Sequence, residues 1–99
     1  MRKHFLLIYH YAPDYIERRA EFRPMHLALA AKSSDAGDLI LGGALTDPFD
    51  TGLLLFHSID KSTADAFAQA DPYVTNSLVE RYEVRHWITV AGQLAAEPV

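Results

Sequence analysis

Apolar residues in the first segment do not alternate with polar ones. Over residues 3–11, Phe5, Leu7 and Tyr9 fall on one side of an extended chain and Leu6, Ile8 and His10 on the other. This predicts a strand with two largely apolar faces, closed by Ala12-Pro13. Pro13-Asp14 opens a helix, with Asp14 as N-cap and Glu17 at capping-box spacing. Pro24 lacks an N–H and its ring crowds the Ala20 carbonyl, so a kink or restart is expected there, with Pro24 in the first turn of the second piece. Residues 25–31 are apolar except for His26, and Ser33, Ser34 and Gly37 end the element.

Residues 38–45 read as a second strand, and Gly42-Gly43 predicts a bulge or a close backbone approach near its end. A turn-rich loop over 46–52 leads to a third strand at 53–59, again apolar on both faces, and predicts an antiparallel hairpin. Ser62-Thr63-Ala64-Asp65 has capping-box spacing for a helix through Ala70. Asp71-Pro72 stops it and starts another turn through Leu78. Residues 80–90 alternate cleanly, with Tyr82, Val84, His86, Ile88 and Val90 against Glu83, Arg85, Trp87 and Thr89, which marks a long fourth strand. The remainder, 92–99, has no periodicity and reads as a loose tail behind a domain spanning 1–91.

The order β-α-β-β-α-β, with right-handed crossovers, gives the ferredoxin-like α+β arrangement: a four-stranded antiparallel sheet with its helices on one face. No internal repeat or linker interrupts it. Two helices cover one face only, yet three strands are apolar on both. A monomer would leave a large apolar patch wet, and a symmetric homodimer would cover it.

Composition narrows the function. The 99 residues hold nine Lys+Arg against thirteen Asp+Glu, a net charge of −4, which argues against a nucleic-acid partner. There is no cysteine, which excludes disulfides, thiol catalysis and thiolate metal sites. The apolar runs at 5–9 and 53–56 are too short to cross a membrane, and the N-terminal stretch lacks the length and cleavage site of a signal peptide. A cytoplasmic location is the expectation.

Of five histidines, His4 reads as a solvated strand end, and His10, His57 and His86 as strand residues packed among apolar neighbours. No H-x-H or H-x-x-x-H pair exists, so no metal ligand set is assigned; a haem or metal role for the histidines stays open only through tertiary contacts. His26 stands out as the single polar residue in an apolar helical turn, three positions after Arg23 and so on the same side. Taken alone, such a residue is usually a core histidine that has found its hydrogen bonds. Asp71, immediately before Pro72, is a ready N-cap. Because a carboxylate has two oxygens, it can cap and still accept from an imidazole. Both helices pack on one face, so His26 and Asp71 can meet between them. Gly42-Gly43 lacks the spacing and following helix of a phosphate loop. Tyr9, Tyr11, Phe49, Tyr73 and Trp87 could line a pocket or fill the core. Arg18-Arg19 and Arg23 form a basic cluster that is either a solvated face or a contact for an anionic ligand.

Taken together, Arg23-Pro24-Met25-His26-Leu27, Gly42-Gly43-Ala44-Leu45, Ala70-Asp71-Pro72-Tyr73 and Val84-Arg85-His86-Trp87 resemble the YCII-related (YciI-like) family over about residues 3–91. The resemblance implies a dimeric α/β barrel in which two ferredoxin-like sheets face each other. It also implies that His26 and Asp71 are the family's paired histidine and aspartate in a proposed active site. It supplies no single reaction; one relative is a dehydrochlorinase of a chlorinated hydroxylated aromatic. By analogy, small cyclic organic ligands are expected. The resulting expectation is an enzyme without cofactor that carries out a lyase- or isomerase-type proton transfer. His26 would be acid or base and Asp71 its orienting carboxylate, with Arg23, Tyr9, Gly43 and Tyr73 as ligand contacts. The alternative is a ligand-binding or accessory module whose His26–Asp71 pair braces the fold.

Overall fold

The computed structural model describes Met1–Val99. Its elements are β1 (Lys3–Tyr11), α1 (Tyr15–Asp35), β2 (Leu39–Ala44), β3 (Thr51–Ser58), α2 (Ser62–Ala70), α3 (Pro72–Thr75) and β4 (Val79–Trp87). They form one antiparallel sheet in the order β2-β3-β1-β4, the ferredoxin-like topology expected from the element order. No helix is long and apolar enough to cross a membrane.

The two-faced reading of β1 holds. Leu7 and Tyr9 are buried under the helices with Leu54, Phe56 and Phe67, and Phe5 is buried beside His86, whereas Leu6 and Ile8 are half-buried on the opposite face. Cross-strand pairing puts Leu6 beside Leu55 and Ile8 beside Leu53 on that outer face. Leu41 is 60% exposed and Trp87 49%. Within one chain this apolar surface has no cover.

Several local expectations are corrected. Helix α1 neither breaks nor restarts at Pro24 but runs as one element of 21 residues. Ala20, whose carbonyl loses its partner, is exposed, so water can satisfy it. Asp14 occupies the N-cap position without making a side-chain cap bond; its carboxylate instead lies 3.8 Å from Arg18. Lys61, not a Ser62 box, precedes α2, and the Asp60 carboxylate accepts from the Ser62 N–H and hydroxyl. These bonds hold the Asp60 carboxyl below its usual range. The β2 irregularity falls between Leu39 and Leu41, not at the glycines.

Strand β4 stops at Trp87, whose partner is His4 near the start of β1, because the sheet offers no further backbone to pair with. The tail is not loose. Glu97 N–H donates to the Thr89 carbonyl at 2.9 Å, Ala96 N–H donates to Thr89 Oγ1 at 2.9 Å, and the Glu97 carboxylate meets His86 Nε2 at 2.7 Å. His4 is consequently buried rather than solvated, with Nδ1 2.7 Å from Thr89 Oγ1 and its ring 5.2 Å from that of His57. Burial, with His57 adding to it, pushes the His4 imidazole below its ordinary pKa.

Candidate active site

The α2–α3 junction places one carboxylate under α1. Asp71 ends α2 in an extended conformation and caps α3, where its side chain accepts the Tyr73 N–H at 3.0 Å. Pro72 at the first helical position suits this, since it has no N–H to leave unpaired. The capping expectation and the pairing expectation are met together. His26 Nδ1 lies 2.9 Å from Asp71 Oδ2 and 3.0 Å from Oδ1, and the Tyr9 hydroxyl donates to Oδ2 at 2.7 Å.

Asp71 is fully buried, so three donors compensate a carboxylate that has lost its water. An ionised carboxylate only accepts, so in the neutral imidazole the proton sits on His26 Nδ1 and Nε2 carries the lone pair. Nε2 has no hydrogen-bond partner in the chain. The imidazole is further held flat against Tyr73, with centroids 4.0 Å apart and planes 8° from parallel.

This ring opens on a cleft of about 310 Å³ between α1 and the β2–β3 edge. Arg19, Arg23, His26, Leu27 and Ala30 form its α1 wall, a stripe at helical spacing. Gly42 and Gly43 lie on the opposite wall. A Cβ on Gly42 would come 3.3 Å from Leu54 Cγ, so the missing side chain keeps that wall open. At one end Tyr11 and Tyr15 stack at 3.7 Å, Tyr15 meets Phe49 at 6.1 Å, and the Arg19 guanidinium lies over both Tyr15 and Phe49. Gly52 makes room for this stack, because a Cβ there would collide with the Tyr11 hydroxyl and displace the ring.

Of the residues singled out from sequence, His26, Asp71, Arg23, Gly43 and Tyr73 converge on this region. Tyr9 does not line the cleft; it is fully buried beneath it and reaches Asp71. Burial and the adjacent Asp71 charge push the Tyr9 hydroxyl far above its usual pKa, keeping it a donor. Trp87 lies at the far end of β4, away from the cleft. Arg19 of the basic cluster also reaches the cleft, one helical turn before Arg23, and Tyr15, which no sequence pattern marks as a ligand contact, lines it as well. No group of three His, Asp or Glu side chains is placed to hold a metal ion.

The profile of the YCII-related domain matches residues 3–88. The chain belongs to the YCII-related family. Among solved structures, this YCII-related chain is similar to 5-chloro-2-hydroxyhydroquinone dehydrochlorinase from Burkholderia phenoliruptrix AC1100, determined in complex with 2,5-dihydroxybenzoquinone. The TM-score is 0.73 at 17% identity, over 87% of this chain and 94% of that one, a likeness of fold. No curated protein shows significant sequence similarity to this YCII-related chain.

Proposed function

We propose that this chain is a small-molecule enzyme that moves a proton through His26 in an elimination or isomerisation of a cyclic, aromatic-derived compound. The observation that carries this reading is the division of the imidazole. Nδ1 is anchored on a buried carboxylate, while Nε2 is left without a partner beside a ligand-sized cleft. Nε2 accepts a proton from a substrate C–H or O–H. In an elimination the freed electron pair forms the new double bond and the leaving group departs with its own bonding pair. In an isomerisation the imidazolium returns the proton to a different atom. Either step balances without an oxidant or reductant, so no cofactor is invoked. Asp71 fixes the tautomer and stabilises the imidazolium, and Tyr9 holds Asp71. The dehydrochlorinase of the same fold, which acts on a chlorinated hydroxyhydroquinone, supports the choice of reaction class.

The test is chloride release from a panel of chlorinated hydroxyhydroquinones. His26→Asn should lower turnover about a hundred- to ten-thousand-fold while the chain stays folded. Unchanged turnover would sink the proposal. A second reading is favoured by the complete burial of Asp71: the pair acts as a brace between α1 and the α2–α3 junction. On that reading His26→Asn loses stability and no ligand affinity.

The functional unit we propose is a homodimer closed through the outer face of the sheet, where Leu6, Ile8, Leu53 and Leu41 stand uncovered. Sedimentation at micromolar concentration should give twice the chain mass.

A further inference from the structure

We infer that the cleft takes a planar, single-ring anion whose ionised oxygen is held by the Arg23 guanidinium and the Tyr73 hydroxyl. The inference rests on the enzymatic reading of the same cleft and assigns its substrate class.

Three features carry it. The chain is acidic overall, with a net charge of −4, yet Arg19 and Arg23 line the cleft and no Asp or Glu does. Arg23 has neither an ion pair nor a side-chain hydrogen bond within the chain. Its neighbours one turn away on α1 are Arg19, Ala20, His26 and Leu27, so no carboxylate on its own helix is placed to neutralise it. Arg19 differs, because aromatic faces already engage its charge.

The Tyr73 hydroxyl supplies the second donor. Tyr73 is 2% exposed and its hydroxyl, beside that of Tyr15, makes no well-formed hydrogen bond, an unusual state for a buried polar group. Tyr73 also lines the cleft and stacks on His26. An oxygen anion bound between this hydroxyl and the exposed Arg23 guanidinium would give the hydroxyl its missing partner and neutralise the arginine, in a cleft that His26 also lines. A hydrogen bond to an ionised oxygen is shorter and about twice as strong as one between neutral groups. The Tyr11, Tyr15 and Phe49 rings and a volume of about 310 Å³ suit one flat ring.

Calorimetry at neutral pH with two probes tests this. 2,5-Dihydroxy-1,4-benzoquinone is ionised there and hydroquinone is neutral. The wild type should bind the anion at least about tenfold more tightly. Arg23→Gln and Tyr73→Phe should each weaken anion binding about tenfold, with hydroquinone changed less than about twofold. Tyr73→Phe retains the ring that stacks on His26 and removes a hydroxyl without a partner, so its melting temperature should not fall. Equal affinity for the two probes, no binding of the anion, or retention of anion affinity in either variant overturns the assignment. His26→Asn separates this from the reaction. If it preserves anion preference while turnover is intact, the proton-transfer reading fails and the anion subsite stands. If turnover falls and Arg23→Gln binds the anion normally, the subsite fails and the proton-transfer reading stands.

Discussion

The imidazole of His26 lies flat on the phenol ring of Tyr73, 4.0 Å between centroids, and both residues are tied to one carboxylate. Asp71 takes His26 Nδ1 with its side chain and the Tyr73 backbone N–H with the same group. A cap of a four-residue helix therefore orients the reactive ring and the ring beneath it. Four predictions follow from this arrangement and its supports.

Asp71→Ala removes the acceptor of three buried donors, from His26, Tyr9 and Tyr73. Leaving such groups unpaired costs about 3 kcal/mol, which for a domain of this size lowers the melting temperature by roughly 12–24 °C. Thermal unfolding by circular dichroism measures it. A loss below about 1 kcal/mol would show that the carboxylate contributes little to the fold.

Tyr9→Phe deletes one hydroxyl that reaches no ligand, so its effect must pass through Asp71. A stability loss of about 1.5–3 kcal/mol is expected, since the bond is to a charged group. Tyr9 is a positioning residue: kcat should fall with KM nearly unchanged, and the lower limb of the pH–rate profile should shift. A purely structural tyrosine would leave that profile where it was.

Gly52→Ala drives a methyl group into the Tyr11 hydroxyl. The Tyr11 ring must swing away from Tyr15, at a cost of about 1–3 kcal/mol. Near-ultraviolet circular dichroism should lose tyrosine signal and ligand affinity should drop, with far-ultraviolet signal preserved. Gly43→Ala, where no atom lies within 4 Å of an added Cβ, is the matched control for the stability loss and the tyrosine signal.

His4 predicts acid sensitivity. Its folded pKa lies below its ordinary 6.5, so the unfolded chain binds the proton first. The neutral ring's stability advantage is intact above pH 6.5 and is lost as pH falls through the folded value. The groups facing it are His57, whose charge adds to the effect, and Glu97, which opposes it. Urea unfolding between pH 8 and pH 5 should show a steeper loss in the wild type than in His4→Asn. Deleting residues 93–99, which bond to Thr89 beside His4, should flatten the wild-type slope in the same way.

Sequence pattern alone determined most of the architecture, because strand parity and turn residues act locally. The double apolar face of β1, the hairpin and the Asp71-Pro72 break follow from neighbouring side chains. His26 was legible as the one polar residue in an apolar turn, and Asp71 as a cap. The unbroken α1, the buried His4 and the folded-back tail were not legible. Each depends on partners far along the chain or on where the sheet runs out of backbone. The same reason governs the site. The Tyr9–Asp71 bond spans 62 positions and the His26–Asp71 bond 45, so no local spacing encodes them. Sequence supplied the imidazole and the carboxylate; only the packing of α1 over the α2–α3 junction decided that they meet, and which nitrogen is left beside the cleft.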